Sequence, residues 1–319
     1  MGYGEYSLQA HIAVTQARVG RSQSEVFTQG ALHPTMNPHG VKARECRDSA
    51  EHPSSLGVIF ALDVSGSMGE VPHALATRTM PTFMEHVTSL SPDAQVMFMA
   101  VGNAYTDRSP LQVGQFETEA SSIDRWLSSM HIEGAGGGLG ESYDLAMLFA
   151  ARHTAMDCDE KRGKKGYFFM TGDEPPFAHV SAELVSKVIG DTLPGPMDIY
   201  AVTEELQRRF FVFFLIPDKE RGARHGVANI WANILHERAV VLEHPDDTAA
   251  ACALLVGITE GTLADEAAIE RHVRGPMRLS GAEAERLTRA VAPYASALAR
   301  GPIAGPTRMG ERADPGFQG

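Results

Sequence analysis

The sequence predicts an α/β fold in which a mostly parallel sheet is covered by helices on both faces. Amphipathic helical patterns separate short apolar runs, and strands that alternate with helices are joined by crossovers that make them parallel. The runs are apolar throughout, as expected for strands buried on both faces. They occupy residues 57–62, 95–101, 166–170, 210–216 and 239–243.

Composition limits the classes of protein to consider. The 319 residues are 43% hydrophobic and 21% charged, which excludes a disordered or fibrous chain. The formal charge of −12 argues against nucleic acid or an anionic membrane surface as a partner, because phosphate recognition needs a surplus of Lys and Arg. No apolar stretch reaches the ~18 residues of a membrane span. The first residues lack a secretory signal and the three cysteines are scattered, so we expect a cytoplasmic protein.

The pattern of the sequence divides the chain into four parts. Residues 1–55 are polar and loop-like, with a weak alternation around 8–14 that could form a strand, and we expect an extension rather than a domain. Residues 56–263 carry the α/β pattern. Residues 264–300 are predicted to be purely helical, with a capping box that opens the last helix at Ser280. Residues 301–319 are predicted to be a disordered tail, because they contain few large apolar groups.

The first half of the α/β part begins with the buried run at 57–62, which leads into a polar, glycine-rich loop. Residues 72–90 place apolar side chains on one face at three- and four-residue steps, which predicts a helix that is broken or restarted at Pro81. Next come a buried strand at 95–101, a short edge strand at 111–117 and a helix at 121–131.

The second half starts with a glycine-rich loop at 134–140 and a helix at 141–153. The apolar run at 166–170 is a fourth predicted strand, which opens into a polar loop. The remaining elements alternate in the same way: helices at 181–189 and 198–209, a strand at 210–216, a helix at 226–237, a strand at 239–243 and a helix at 246–259. This alternation favours parallel pairing throughout the second half.

Candidate functional residues lie in the loops that leave the buried runs, because open parallel sheets bind ligands outside the carboxyl ends of their strands. The first loop contains Asp63, Ser65 and Ser67, an acid and two hydroxyls at alternate positions. The glycine loop ends in Glu141, and the loop after the fourth strand contains Asp173. All of these side chains offer oxygen ligands, which hard cations prefer. The sequence therefore predicts a Mg²⁺ site, with Mn²⁺ or Ca²⁺ as alternative ions.

The run Asp63-Val-Ser65-Gly-Ser67 after a buried strand resembles the start of the metal-ion-dependent adhesion site of von Willebrand factor type A domains. The resemblance covers about residues 56–263 and implies a doubly wound, Rossmann-like sheet. It also implies that the two serine hydroxyls bind the metal directly, while the aspartates act mostly through water. Asp173 is similar to the fifth position of the family motif, although Gly and Asp are reversed relative to the common Thr-Asp-Gly.

The fourth position of the family motif is a threonine before the next helix, and residues 134–140 contain none. The loop is similar to a bacterial and extracellular-matrix variant of the family with a Gly-Gly-Gly-x-x-Pro-Glu stretch in this place. Glu141 is therefore included as a candidate metal ligand. The alternative interpretation of Glu141 is an acid in the first turn of a helix, where it is favourable to the helix dipole.

We expect a metal-dependent protein-interaction module rather than an enzyme. The resemblance implies that an acidic side chain of a partner protein completes the coordination of the metal. It also implies a bacterial intracellular protein that works beside a MoxR-type AAA+ ATPase. One alternative is a scaffold with a structural metal whose helices after residue 263 contact the partner. A second is a serine hydrolase that uses Ser67, although the segment lacks the first glycine of Gly-x-Ser-x-Gly.

Overall fold

The computed structural model describes residues 4–66, 68–133, 140–303 and 305–306. Within these ranges the strands are β1 (Arg44–Cys46), β2 (Leu56–Asp63), β3 (Ala94–Val101), β4 (Leu111–Val113), β5 (Thr154–Met156), β6 (Gly166–Thr171), β7 (His179–Val180), β8 (Met197–Asp198), β9 (Phe210–Ile216) and β10 (Ala239–Val241). The helices are α1 (Leu8–Gln16), α2 (Gln23–Val26), α3 (Glu70–Ala74), α4 (Met80–Leu90), α5 (Ala120–Ser128), α6 (Tyr143–Arg152), α7 (Asp157–Glu160), α8 (Ala182–Val188), α9 (Ile199–Gln207), α10 (Lys219–Ala223), α11 (Val227–Leu235), α12 (Thr248–Thr259), α13 (Glu266–Arg274) and α14 (Gly281–Arg300).

A six-stranded sheet forms the centre of the fold, with the strand order β4-β3-β2-β6-β9-β10. All neighbouring strands in it are parallel except β3 and β4, which are antiparallel. This arrangement confirms the predicted doubly wound, Rossmann-like α/β class, and it is consistent with the fold of von Willebrand factor type A domains. The chain builds the sheet outward from β2 in one direction and then returns to add β6, β9 and β10 on the other side. The order of the strands therefore reverses between β2 and β6.

Helices cover both faces of the central sheet. On one face, Phe60 of β2 packs edge-on against Phe83 of α4, and Phe213 of β9 packs edge-on against Tyr294 of α14. Phe214 lies next to Phe213 in the same strand and stacks on Trp231 of α11. Because successive side chains of a strand point to opposite faces, α11 lies on the other face. All eight residues of β2 are buried, as their continuous apolar run predicts.

The amino-terminal residues contain a helix where the weak alternation around residues 8–14 predicts a strand, so that prediction is wrong. In α1 the Ser7 hydroxyl caps the helix by accepting a hydrogen bond from the Ala10 N–H. The buried residues His11 and Thr15 are four positions apart, which places them on one face of a helix. This face packs against α4 and α5. Tertiary packing therefore determines the helix, and the short alternating pattern was too weak to predict it.

The helices after residue 263 pack on the α/β part of the chain. The capping box is confirmed, since Ser280 accepts a hydrogen bond from Glu283 N–H while the Glu283 carboxylate accepts one from Ser280 N–H. The Tyr294 hydroxyl lies 2.8 Å from Thr259 Oγ1 of α12. The predicted tail lies outside the described residues from 307 onward. Among the helices that the structure describes, none combines the length and the apolar character that a bilayer crossing requires.

The predicted helix at 72–90 is interrupted, although not by Pro81. Residues Leu75–Thr79 form a π-helical turn between α3 and α4. Pro81 lies in the first turn of α4, where a helix needs no N–H donor from it. The pairs β1–β5 and β7–β8, each of two or three residues per strand, were not predicted, because such short segments show no periodicity.

Candidate functional site at the carboxyl ends of the central strands

Two of the predicted oxygen ligands, Asp63 and Asp173, lie where the strand order reverses. Asp63 is the last residue of β2, and Asp173 follows β6 by two residues. Leu62 and Thr171 are partners in the parallel register of these two strands, so both aspartates emerge at the same edge of the sheet. This crevice between β2 and β6 is the position at which open α/β sheets bind their ligands. Ser65 lies in the loop after Asp63 and is buried, whereas Ser67 lies outside the described residues.

Asp63 is fully buried and held by hydrogen bonds to both carboxylate oxygens. The Ser65 N–H donates to Oδ1 at 2.8 Å, and the Tyr143 hydroxyl donates to Oδ2 at 2.6 Å. The pKa of Asp63 is raised to about 7, mainly by burial, with the hydrogen bonds from Ser65 and Tyr143 opposing the rise and the charge of Asp173 adding to it. Burial and the charge of Asp173 therefore disfavour the ionised carboxylate of Asp63 more than its hydrogen bonds favour it. A cation at this place would reverse that balance.

Glu141 brings a third carboxylate to the same crevice. It is 3% exposed, and its backbone N–H donates to the Pro175 carbonyl at 3.3 Å. Its Oε2 atom is buried and has no hydrogen-bond partner among the described residues. Burial, followed by the negative charges of Asp63 and Asp107, raises the pKa of Glu141 to about 9. A buried carboxylate oxygen without a donor is costly, so this atom calls for a proton, a cation or a hydrogen-bond donor from outside the described residues.

The loop after β3 holds the segment that carries Glu141. The Ala104 N–H donates to the Ser142 hydroxyl at 2.9 Å, and the Ser142 N–H donates to the Gly102 carbonyl at 3.1 Å. The Asn103 side-chain amide donates to the Gly140 carbonyl at 2.8 Å. Because these bonds fix the backbone on both sides of Glu141, its side chain is aimed into the crevice by the neighbouring loop. Residues 134–139, which include most of the glycine loop, lie outside the described residues.

Gly172 lies directly against the Tyr143 hydroxyl group. A Cβ atom at this position would lie 1.9 Å from the Tyr143 hydroxyl oxygen and 2.9 Å from Phe214 Cζ. Only glycine therefore leaves room for the tyrosine to reach Asp63. The Tyr143 ring packs edge-on against Phe214 and Trp231, and the Trp231 N–H donates to the Glu174 carbonyl at 3.1 Å. This aromatic cluster positions the loop that carries Asp173.

Arg221 of α10 forms ion pairs on the other side of Asp173. Its Nε lies 3.6 Å from Asp173 Oδ2, and its terminal nitrogens contact Glu70 of α3 and Asp218. The guanidinium of Arg224 lies 3.8 Å from the same Asp173 oxygen. Neither Arg221 nor Tyr143 belongs to a sequence motif, so neither was predicted as a residue of the site. Both reach the crevice only through the packing of elements that are distant along the chain.

The residues of the crevice offer oxygen atoms, which hard cations prefer as ligands. They supply carboxylate oxygens from Asp63, Glu141 and Asp173, the buried Ser65, and a buried Thr171 hydroxyl that has no hydrogen-bond partner among the described residues. In the described part of the chain, no three His, Cys, Asp or Glu side chains converge closely enough to hold a metal by themselves. Any ion bound here would therefore need hydroxyl oxygens or water in addition to the carboxylates.

No protein-family model matches the chain, and no curated protein matches it. Among solved structures, the pilus adhesin SpaC from Lactobacillus rhamnosus GG, in its open conformation, is similar over 68% of this chain at 12% identity with a TM-score of 0.43. The chain spans only 31% of that adhesin. An aerotolerance-related membrane protein from Bacteroides fragilis NCTC 9343 is similar over 65% of this chain and 99% of its own, at 13% identity with a TM-score of 0.37. These weak similarities carry no argument about function.

Proposed function

We propose that this protein is a metal-dependent protein-interaction module of the von Willebrand factor type A kind. In this proposal a Mg²⁺ ion lies in the crevice between β2 and β6 and takes a carboxylate from a partner protein. The observation that supports it most is the buried Oε2 of Glu141, which lies near the buried carboxylates of Asp63 and Asp173 and has no hydrogen-bond partner within residues 4–66, 68–133, 140–303 and 305–306. Burial and the negative charge of Asp63 raise the pKa of Glu141, and a cation bound beside these two carboxylates would offset both effects.

Each residue of the crevice has a distinct role in the proposal. Ser65 and Ser67 supply neutral hydroxyl ligands, and Asp63 and Asp173 carry the negative charge that attracts the ion. Tyr143 holds Asp63 in place through its hydrogen bond to Oδ2. Glu141 is the additional ligand that replaces the threonine of the family motif. When bound, the ion supplies an electrophilic centre that attracts a carboxylate oxygen.

Titration calorimetry of chelator-treated protein with Mg²⁺, Mn²⁺ and Ca²⁺ tests the metal site. We expect one site, whose affinity falls at least tenfold in Asp63→Asn and in Glu141→Gln. Asp157→Asn is a matched control, because Asp157 is also a buried carboxylate but belongs to α7, which packs near the start of β2. Absence of metal binding by the folded wild-type protein, or equal losses in all three variants, would refute the proposal.

The alternative in which the helices after residue 263 contact the partner stays a prediction, and any such contact would use their exposed faces. The apolar stripe of α14 is occupied, because Leu287, Val291 and Tyr294 are buried within the same chain. Arg286 of this helix also forms a two-bonded ion pair with Asp247, at 2.6 and 2.8 Å. The adaptor role beside a MoxR-type AAA+ ATPase remains a proposal, and co-purification with and without Mg²⁺ would test it. The serine hydrolase alternative also stays a prediction, since Ser67 lies outside the described residues.

A further inference from the structure

A cleft of about 420 Å³ lies beside the proposed metal crevice. One wall is formed by the amino-terminal residues around Leu32 and Pro38, the second by Pro110 in the loop after β3, and the third by Val188 of α8. These residues give the cleft apolar walls beside polar and charged ones, and its volume lies within the range of sites that bind small ligands. The residues before position 55 thus shape a surface and do more than extend the chain.

Two cationic side chains line the cleft. Arg108 and Lys187 are both exposed. In the described part of the chain, neither the Arg108 guanidinium nor the Lys187 ammonium group pairs with a carboxylate. The nearby acids are already engaged. Asp107 accepts hydrogen bonds from the Asn103 N–H at 2.8 Å and the Thr106 hydroxyl at 3.0 Å, and Glu133 accepts from the Arg108 N–H at 2.9 Å. Two cations and one acid, Asp107, line the cleft, so its lining carries a surplus of positive charge in a chain of net charge −12 and attracts a negatively charged group.

The cleft and the metal crevice share one loop. Ala104 lines the cleft, and its backbone N–H donates to the hydroxyl of Ser142, which follows Glu141. Asp107 also lines the cleft, and its charge contributes to the raised pKa of Glu141. A peptide that places one carboxylate in the crevice would thus lay its neighbouring residues into the cleft.

We propose that this cleft binds the segment that flanks the metal-binding carboxylate of the partner, and that this segment is an acidic peptide. One apolar side chain enters between Leu32, Pro38 and Val188, and a second Asp or Glu pairs with Arg108 and Lys187. A nucleic acid does not fit, because its continuous phosphate charge would also face Asp63, Glu141 and Asp173. The inference rests on the proposed function and adds the sequence class of the partner.

Selection from a random peptide library with one fixed central Asp, performed on the full chain in Mg²⁺ and again in chelator, tests this proposal. We expect Mg²⁺-dependent peptides that carry an apolar residue and a second acidic residue within a few positions of the fixed Asp. Their binding should weaken at least tenfold in Arg108→Glu/Lys187→Glu, with an unchanged affinity for Mg²⁺ alone. Lys187→Glu alone, at an exposed position, should weaken binding about threefold.

The matched control is Arg271→Glu/Arg278→Glu, which reverses two exposed charges after residue 263 and changes the net charge by the same amount. It should leave peptide binding within about twofold of wild type. Equal binding of the selected peptides to the cleft variant and to wild type would overturn the cleft proposal while the metal-dependent function stands. If wild type binds Mg²⁺ but selects no Mg²⁺-dependent peptide, both the proposed function and the cleft proposal fail.

Discussion

The first prediction concerns Gly172, which precedes Asp173 in the loop after β6 and lies against the Tyr143 hydroxyl group. In Gly172→Ala the new Cβ would lie 1.9 Å from the Tyr143 hydroxyl oxygen and 2.6 Å from its Cζ. Real Cβ atoms do not approach other atoms this closely, so the buried tyrosine must move. Its hydrogen bond to Asp63 Oδ2, 2.6 Å long, would then be lost.

The expected loss of stability has two parts. Overpacking of a buried site costs about 1–3 kcal/mol. Loss of a hydrogen bond to a buried carboxylate costs about 1.5–3 kcal/mol. Together they predict a decrease of about 2.5–6 kcal/mol in the free energy of unfolding, which is a large part of the usual total of about 5–15 kcal/mol.

Urea unfolding followed by tryptophan fluorescence measures this loss, because Trp231 packs against Tyr143. Gly195→Ala is the matched control, since no atom lies within 4 Å of the position of its new Cβ. That variant should stay within about 1 kcal/mol of wild type. In a Tyr143→Leu background, Gly172→Ala should cost less than half as much, because the clashing ring is gone. A loss below about 1 kcal/mol in Gly172→Ala itself would refute the steric argument.

Three further predictions follow from individual contacts. Arg221→Gln removes a cation 3.6 Å from Asp173, so it should tighten Mg²⁺ binding in calorimetry by about three- to tenfold, provided that the proposed metal site exists. His11 has its pKa lowered from 6.5 to about 4, mainly by burial, so its contribution to stability is complete above pH 6.5 and is lost as the pH falls toward 4. Urea unfolding should show that wild type loses about 2–3 kcal/mol more than His11→Gln between pH 7.5 and 4.5. Ser280→Ala removes the cap of α14 and should cost about 1 kcal/mol in the same assay.

Each of these variants has a control elsewhere in the chain. Arg152→Gln breaks an ion pair with Glu205 at the far end of α6 and should not tighten Mg²⁺ binding. His179→Gln changes an exposed histidine and should keep the wild-type pH dependence. Ser296→Ala changes an exposed position inside α14 and should not destabilise it. Weaker metal binding in Arg221→Gln would refute the charge argument at Asp173. Full pH dependence in His11→Gln would refute the assignment to His11. Equal unfolding of Ser280→Ala and Ser296→Ala would refute the capping argument.

The central sheet could be predicted because its strands are continuous apolar runs with polar loops at their carboxyl ends. Residues 210–216, for example, form a strand with the predicted bounds. The cap of α14 could also be predicted, since the donor and acceptor groups of a capping box lie within one turn. The helix α1 could not, because its buried residues are ordered by contacts with α4 and α5 rather than by a clear local period.

The candidate site was predictable only in part. Asp63, Ser65, Glu141 and Asp173 were found because they occupy loops that leave predicted strands or enter predicted helices. Tyr143 was not, since it lies 80 residues from Asp63 and no motif connects them. Arg221 and the cleft beside the crevice were also beyond prediction, because both depend on how separate loops meet at one edge of the sheet.

The sequence by itself determined which segments form buried strands, where they end and which oxygen-bearing side chains follow them, because periodicity and capping are local properties. Only the tertiary structure decided that the Tyr143 hydroxyl requires a glycine at position 172, that the Glu141 carboxylate is buried and that Arg221 faces Asp173. Burial, steric fit and charge interactions depend on groups that are distant along the chain, and the order of the strands brings them together.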